Sequence, residues 1–410
     1  MAETVEIARI GHRGDGIAET GGGPVYVPFT LPGETVRIER DGERGRLIAV
    51  EKASPERTDP ICRHFGTCGG CALQMLSPDG NRTLKRRFVA DALAGRGIDA
   101  GVDETVGIEP GSRRRAILAA RTVRGRTLLG YHERQSNRIV DIAECPVLVP
   151  QIAGQLESIR EIAGSILPAG RPARITILAT ETGLDVDLAG ARPPDAGTKR
   201  RERLVALCRR AAIARLTIAG EIAVQLAEPR LPVAGVALRP QPAAFAQAAA
   251  AAQEAIADLV AGHLAACGHV ADLFSGFGTF SLAFARFARV HAVEADAAAL
   301  AALDDAVRHA SGLKPVTTER RDIMRFPLTA RELAAYDGVV FDPPRAGAKE
   351  QAAELAASGV GTVAAVSCSP ATFARDARIL IDGGFRLERV VPVDQFVFSA
   401  ETEIVGLFAR

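Results

Sequence analysis

The sequence predicts an α/β protein in three parts: a small N-terminal β-barrel, a central α+β domain and a C-terminal doubly wound sheet. Three observations carry this reading. Residues 4–52 break into short β-prone runs (VEIARIG, GPVYVPF, ETVRIER, GRLIAVE) separated by the turn-rich GHRGDG, ETGGG and LPG. From residue 240 onward, short apolar runs (HVADLF, RVHAVEA, YDGVVFD, GTVAAVS) alternate with helix-like stretches, the pattern of parallel strands buried on both faces. Between these regions lie a cysteine cluster and a concentration of basic residues.

Residues 1–54 fit a five-stranded OB-like barrel, an architecture that often holds nucleic acid. Residues 55–236 combine a helix-like stretch at 150–166 with strand-like RITILAT and LDVDLAG, and read as one domain. Residues 237–410 place helices near 278–288, 296–310, 348–357 and 371–381. Two last strands, RLERVVPVDQF and TEIVGLFAR, follow without a helix between them. In such sheets ligands sit at the carboxyl ends of the strands.

Composition narrows the class. At 410 residues, 47% hydrophobic and 24% charged, the chain is an ordinary globular protein with room for several cores. An uninterrupted apolar run of about 18 residues is missing, as is the basic-then-apolar layout of a signal peptide, so a cytoplasmic location without a membrane partner is expected. No feature calls for an obligate protein partner. The net charge is +1, yet thirteen Arg/Lys face six Asp/Glu between Arg82 and Arg138. That local excess is what a phosphate-binding face looks like.

Three stretches carry chemistry. In DLFSGFGTFS, Gly276 and Gly278 let the backbone turn tightly where a ligand would leave no space for a β-carbon, and Glu294 ends the next strand, where it can accept ribose hydroxyls. The loop lacks a third glycine and any G-K-[ST], which points away from dinucleotides and triphosphates toward S-adenosylmethionine. In VVFDPPRAG, Asp342 and Arg345 offer an acceptor and a forked donor beside two stiffening prolines. Cys368 ends the following strand just before a helix starting near Pro370, and a helix N-terminus lowers a thiol pKa.

The remaining motif is CRHFGTCGGC. Cys62, Cys68 and Cys71, with Cys145 from a distant turn, make a four-thiolate set that suits structural zinc or a [4Fe–4S] cluster. The gap between the first two is long for zinc, and Pro146 after Cys145 fits a cluster ligand. His64 reads as a loop residue, and Cys208 and Cys267 as packing residues.

Taken together, DLFSGFGTFSLA, VEAD, FDPPRAGA, SCSPATFARD and the closing Glu-containing strand resemble the RNA 5-methyluridine (uracil-C5) methyltransferases. The barrel resembles the TRAM domain of the ribosomal-RNA members. The resemblance implies a class I methyltransferase (Rossmann-like) sheet, S-adenosylmethionine as methyl donor, Cys368 as a nucleophile adding to uracil C6, and Glu403 as the base. It implies cofactor contacts from Gln247, Phe274, Gly276, Thr279, Glu294, Asp322 and Asp342, and iron–sulfur in preference to zinc. It implies an RNA substrate, ribosomal RNA (23S) ahead of tRNA. The chain departs from the family pattern at Ser369, at Thr279, at Glu401 and at Val397–Phe398–Ser399. The rival readings are a tRNA uridine methyltransferase, a methyltransferase of exocyclic amines, and a non-catalytic iron–sulfur RNA-binding protein.

Overall fold

The computed structural model describes residues 2–410. The first strand of the barrel is bent. Ala2–Glu6 pairs antiparallel with Thr35–Asp41, whereas its continuation Arg9–Ile10 pairs with Gly16–Thr20. The ladder runs between them through Arg44–Lys52 and Gly23–Val27. One bent strand therefore belongs to both ends of the sheet, and the sheet closes on itself. Ile7, Val25, Val27, Val36 and Ile38 fill the interior.

The second sheet has six strands, in the order Glu221–Gln225, Ile213–Ile218, Gly183–Ala189, Pro172–Thr180, Arg115–Val123, Arg126–Gly130. Its alternation is legible in Arg115–Val123, where Ala116, Leu118 and Ala120 are buried and Ile117 and Arg121 are exposed. Helix Leu156–Ile166 buries Leu156, Ile159, Ile162, Ala163 and Ile166 against that face, the spacing of one helical stripe.

Part of the stretch 55–236 packs outside the second sheet, against the C-terminal region. Helix Pro78–Ala94, capped by the Ser77 side chain, turns Val89 and Leu93 toward Phe373, Ala374 and Ala377 of the C-terminal region. The chain then lays Val106 alongside Val393 as a parallel bridge. Lys85, from the basic stretch, is fully buried, pairs with Asp394 and donates to the Phe396 carbonyl at 3.0 Å. Lys85→Met leaves Asp394 buried without its counter-charge and lowers unfolding free energy by about 3–5 kcal/mol. Urea titration checks this: the added change Asp394→Leu recovers most of the loss, and an additive double variant would show that the two do not act as a pair.

The C-terminal sheet has seven strands, numbered here β1 (His269–Leu273), β2 (Arg289–Glu294), β3 (Val316–Arg320), β4 (Gly338–Phe341), β5 (Thr362–Ser367), β6 (Arg386–Val393) and β7 (Glu403–Ala409). Their order is 3-2-1-4-5-7-6, and only β7 runs against the others. Helices Thr279–Phe284, Ala297–His309, Lys349–Ala357 and Pro370–Asp382 lie where the sequence suggests. Strand order reverses between β1 and β4, so a crevice opens at their carboxyl ends. Among the described residues, no helix is long and apolar enough to cross a membrane.

Candidate active site

Strand register decides which side chains meet. Leu273 of β1 lies opposite Val293 of β2 and Phe341 of β4, so Phe274, Glu294 and Asp342 follow side by side. Ser367 of β5 lies opposite Ile404 of the antiparallel β7, which sets Cys368 beside Glu403. Asp322 stands two residues past β3, exposed, with its carbonyl accepting the N–H groups of Arg325 and Phe326. Thr279 is half-buried at the first turn of its helix.

The loop after β1 is held from below. The Glu294 carboxylate accepts from the N–H groups of Gly276 at 3.0 Å, Ala295 at 2.6 Å and Asp296 at 2.9 Å. The acid expected at the ribose thus also fixes the loop. Gly278 (φ +90) has no space for a β-carbon because Leu303 Cδ1 would lie 2.4 Å away. The obstruction there comes from the protein's own packing. At Gly276 (φ +55) a β-carbon would meet no protein atom within 4 Å, and its left-handed backbone conformation favours glycine.

Asp272 was not among the sequence candidates. It is fully buried and accepts from Ser281 Oγ at 2.6 Å. Burial first, and then Asp342 and Glu294, push its carboxyl up to about 7 against that hydrogen bond. Among the described residues, Asp272 Oδ1 and Ser275 Oγ are buried without a hydrogen-bond partner.

A chain of side chains joins the two acids of the crevice. Gln247 Nε2 donates to Asp342 Oδ2 at 3.2 Å, Gln395 Nε2 donates to Gln247 Oε1 at 2.8 Å, and the same Nε2 donates to Glu403. Gln395 gave no signal in the sequence beyond being a polar residue after an apolar strand. Burial, and then Asp342, push Glu403 up to about 8, and burial pushes Asp342 up to about 7. The half-buried Cys368 thiol is pushed up to about 11 by burial, with Glu403 and Asp342 adding to it. The expected lowering by the helix N-terminus does not prevail. Helix Pro370–Asp382 begins two residues later, while lost solvation and two neighbouring acids push the thiol up. Ser369, the departure beside the thiol, borders a separate groove by the barrel, and its carbonyl accepts from the Phe373 N–H at 2.9 Å and from Ser367 Oγ and Thr372 Oγ1, each at 3.3 Å.

Glu403 gives a stability prediction. Between pH 4.5, its ordinary value, and about 8 the folded protein holds a proton that the unfolded chain has released, so stability falls as pH rises across that window. Glu403→Gln lacks this slope. Its melting temperature relative to the parent protein rises from about pH 5 to about pH 9; a difference that stays flat would mean Glu403 carries no raised pKa.

The four cysteines share one cavity with Cys368. Cys62, Cys68, Cys71, Cys145 and Arg113 line a space of about 380 Å³ that also reaches Cys368 and Ser399. Among the described residues, no three His, Cys, Asp or Glu side chains converge tightly enough for a single metal ion. Cys68 Sγ accepts from the Gly70 N–H at 3.5 Å, and the Cys145 carbonyl accepts from the Leu148 N–H at 3.2 Å. His64 Nε2 accepts from the Ala143 N–H at 3.1 Å, tying the two cysteine loops together.

The basic stretch is only partly a surface. Arg114 is buried and donates to Gln253 Oε1 at 2.7 Å, and Arg115 donates to the Ala244 carbonyl at 3.2 Å, so both hold the polypeptide around Gln247. Arg87 does face outward, whereas Arg134 is largely buried and pairs with Asp15 at 2.7 Å. With Arg9, Arg44 and Arg345 they line a groove of about 1560 Å³ between the barrel and the C-terminal domain, bordered by Ser369.

Residues 202–410 match the family described as tRNA (Uracil-5-)-methyltransferase. An RNA methyltransferase of Brucella suis biovar 1, itself described as uncharacterized, is 49% identical over 99% of this chain and 97% of its own length. The 23S rRNA (uracil(1939)-C(5))-methyltransferase RlmD of Chromohalobacter salexigens is 33% identical over 100% of this chain and 90% of its own. Among solved structures, Pyrococcus abyssi tRNA (uracil-54, C5)-methyltransferase, in complex with S-adenosyl-L-homocysteine, aligns with a TM-score of 0.77 at 21% identity over 99% of both chains. At that identity the likeness is one of fold.

Proposed function

Since the chain belongs to the RNA uracil-5-methyltransferase family and is an RNA methyltransferase, we propose that it methylates uridine C5 of 23S ribosomal RNA through a covalent Cys368 adduct. The observation that carries this reading is the meeting of Cys368, Glu403 and Asp342 at one strand edge, fixed by the β5–β7 register. The Cys368 thiol loses its proton to solvent, its sulfur adds to uracil C6, and the electron pair of the C5–C6 double bond moves toward the O4 carbonyl. The C5 of that enolate takes the methyl group, the methyl–sulfur bond of the donor breaking with its electron pair left on sulfur. Glu403 then removes the C5 proton, the C5–H electrons re-form the double bond, and the C6–S bond breaks to release Cys368. The ribosomal choice is supported by the RlmD relative at 33% identity.

S-adenosylmethionine supplies the methyl group and a sulfonium charge. Gln247, Phe274, Gly276, Thr279, Glu294, Asp322 and Asp342 are the residues proposed to hold it, and the unpartnered Asp272 Oδ1 and Ser275 Oγ fit a polar ligand at the loop. The N-terminal barrel is read as a TRAM domain and the C-terminal sheet as a class I methyltransferase sheet, whose order 3-2-1-4-5-7-6 supports that reading. For the cysteines, four thiols around one cavity of about 380 Å³, with an N–H donor on the Cys68 sulfur, fit a [4Fe–4S] cluster. A mononuclear centre would instead draw its sulfurs to about 2.3 Å from one ion.

The test uses 5-fluorouridine RNA, whose C5 fluorine cannot leave as a proton. The full-length protein with S-adenosylmethionine should form a denaturation-resistant protein–RNA species on 23S fragments. Trapping confined to tRNA would move the substrate, and binding without trapping would overturn the covalent route in favour of chemistry on an exocyclic amine.

A further inference from the structure

We propose that Gln395 is a positioning residue that favours the ionised form of Glu403 and aims it at the C5 proton, and that it ties this base to Asp342 through Gln247. The inference rests on the covalent reading above and deepens it. Gln395 is 3% exposed and sits in the turn after β6. Its orientation is fixed by chemistry. The Ala248 backbone N–H, which can only donate, reaches Gln395 Oε1 at 3.1 Å. The carbonyl end of Gln395 must therefore face Ala248, and the amide end must face the interior. That Nε2 then serves two acceptors, Glu403 and Gln247 Oε1 at 2.8 Å. With its own carbonyl engaged, Gln247 has to present Nε2 to Asp342, at 3.2 Å. One backbone N–H thus sets the direction of every hydrogen bond along the row, and each acid meets a donor.

The anchoring is as specific as the row. The residue before Gln395 is Asp394, paired with the fully buried Lys85, and its N–H donates to the Val106 carbonyl at 2.9 Å. The turn has little freedom to withdraw the amide from Glu403. The charged and titratable groups facing Glu403 are Asp342 from β4, Cys368 from β5 and Glu401 on its own segment, the last paired with Arg345 at 2.9 Å. All of these except Arg345 discourage a second negative charge. Gln395 is the neutral group that favours the carboxylate, because a hydrogen bond donated to the ionised form stabilises that form.

The consequence falls on one step. When Glu403 is protonated it cannot take the C5 proton, so the methylated adduct, with both CH₃ and H on C5 and Cys368 still on C6, persists. Gln395→Met removes the donors at similar volume. On ordinary uridine RNA at neutral pH, kcat should fall about tenfold to a hundredfold with little change in either KM, the scale expected for one hydrogen bond to a charged group. The covalent protein–RNA species should accumulate during turnover, and its breakdown should need a higher pH than in the parent protein.

A merely structural role predicts a lower melting temperature with an unshifted pH profile and no accumulated adduct, and that result overturns the proposal. If Gln395→Met does not fold, Gln395→Asn keeps a polar group too short to reach Glu403 and must give the same pH shift. The parent protein's own trapping on 5-fluorouridine RNA separates the two levels. If the parent does not trap, the covalent reading has failed; if it traps and the variants behave as the parent does, only the role of Gln395 has.

Discussion

Cys368→Ala abolishes uridine methylation, by about four orders of magnitude or more, while leaving S-adenosylmethionine binding in place. The expectation follows from where the thiol sits. It ends β5 beside Glu403, whereas the loop proposed for the cofactor is held by Glu294 from β2 and lies on the far side of Asp342. Alanine fills a half-buried position without leaving a charge unpaired, so folding should change little. Without sulfur at C6 there is no enolate, and C5 is too weak a nucleophile to take the methyl group. Methyl incorporation into 23S fragments, calorimetry with S-adenosylmethionine and trapping on 5-fluorouridine RNA measure the three quantities separately. Turnover within tenfold of the parent would mean that Cys368 is not the nucleophile. The thiol's high pKa adds a second signature in the parent protein: with the group pushed up to about 11, adduct formation should quicken as pH rises toward that value.

The strand ends of the C-terminal sheet were legible because parallel strands buried on both faces must be apolar throughout, and polarity returns only where the strand stops. Asp342 and Cys368 each follow such a run, after Gly338–Phe341 and Thr362–Ser367. That Glu403 stands beside Cys368 needed more, because local pattern cannot give the direction of the last strand. The family resemblance supplied it.

What the sequence hid are partnerships at long range. Lys85 and Asp394 are 309 residues apart, and Gln395 and Gln247 are 148 apart. No period or propensity links such pairs, so Lys85 read as one more surface cation and Gln395 as a strand end. Arg114 misled in the same way: a charge count registers its sign but not that it points inward to Gln253. The packing partner of the first helix was hidden for a related reason. Helix Pro78–Ala94 carries a basic face and a narrow apolar one, and only packing reveals that the apolar face belongs to the helix Pro370–Asp382.

Cys71→Ser should remove the visible absorbance of the proposed cluster and, with it, most of the trapping on 5-fluorouridine RNA. The link is a pair of backbone hydrogen bonds. Ala72 and Leu73, immediately after Cys71, donate their N–H groups to the Phe398 carbonyl at 2.9 and 3.0 Å. Phe398 adopts φ +62, an uncommon conformation for a bulky residue, and so depends on its surroundings to hold it. It lies in the segment Val397–Phe398–Ser399, where this chain departs from the family pattern, and that segment leads into Glu401 and Glu403. A cluster that fixes Cys71 therefore fixes the approach to the base. Loss of the cluster frees the loop, and a shift of about 1 Å at Glu403 or Cys368 is enough to cost about a hundredfold in rate. S-adenosylmethionine affinity should persist, because the Glu294-held loop makes no use of residues 62–73. Absorbance, calorimetry and trapping yield are to be read on one preparation. Absorbance retained in Cys71→Ser would remove Cys71 from the ligand set. Absorbance lost with trapping unchanged would detach the cluster from the active site and leave Lys85–Asp394 as the principal anchor of that turn.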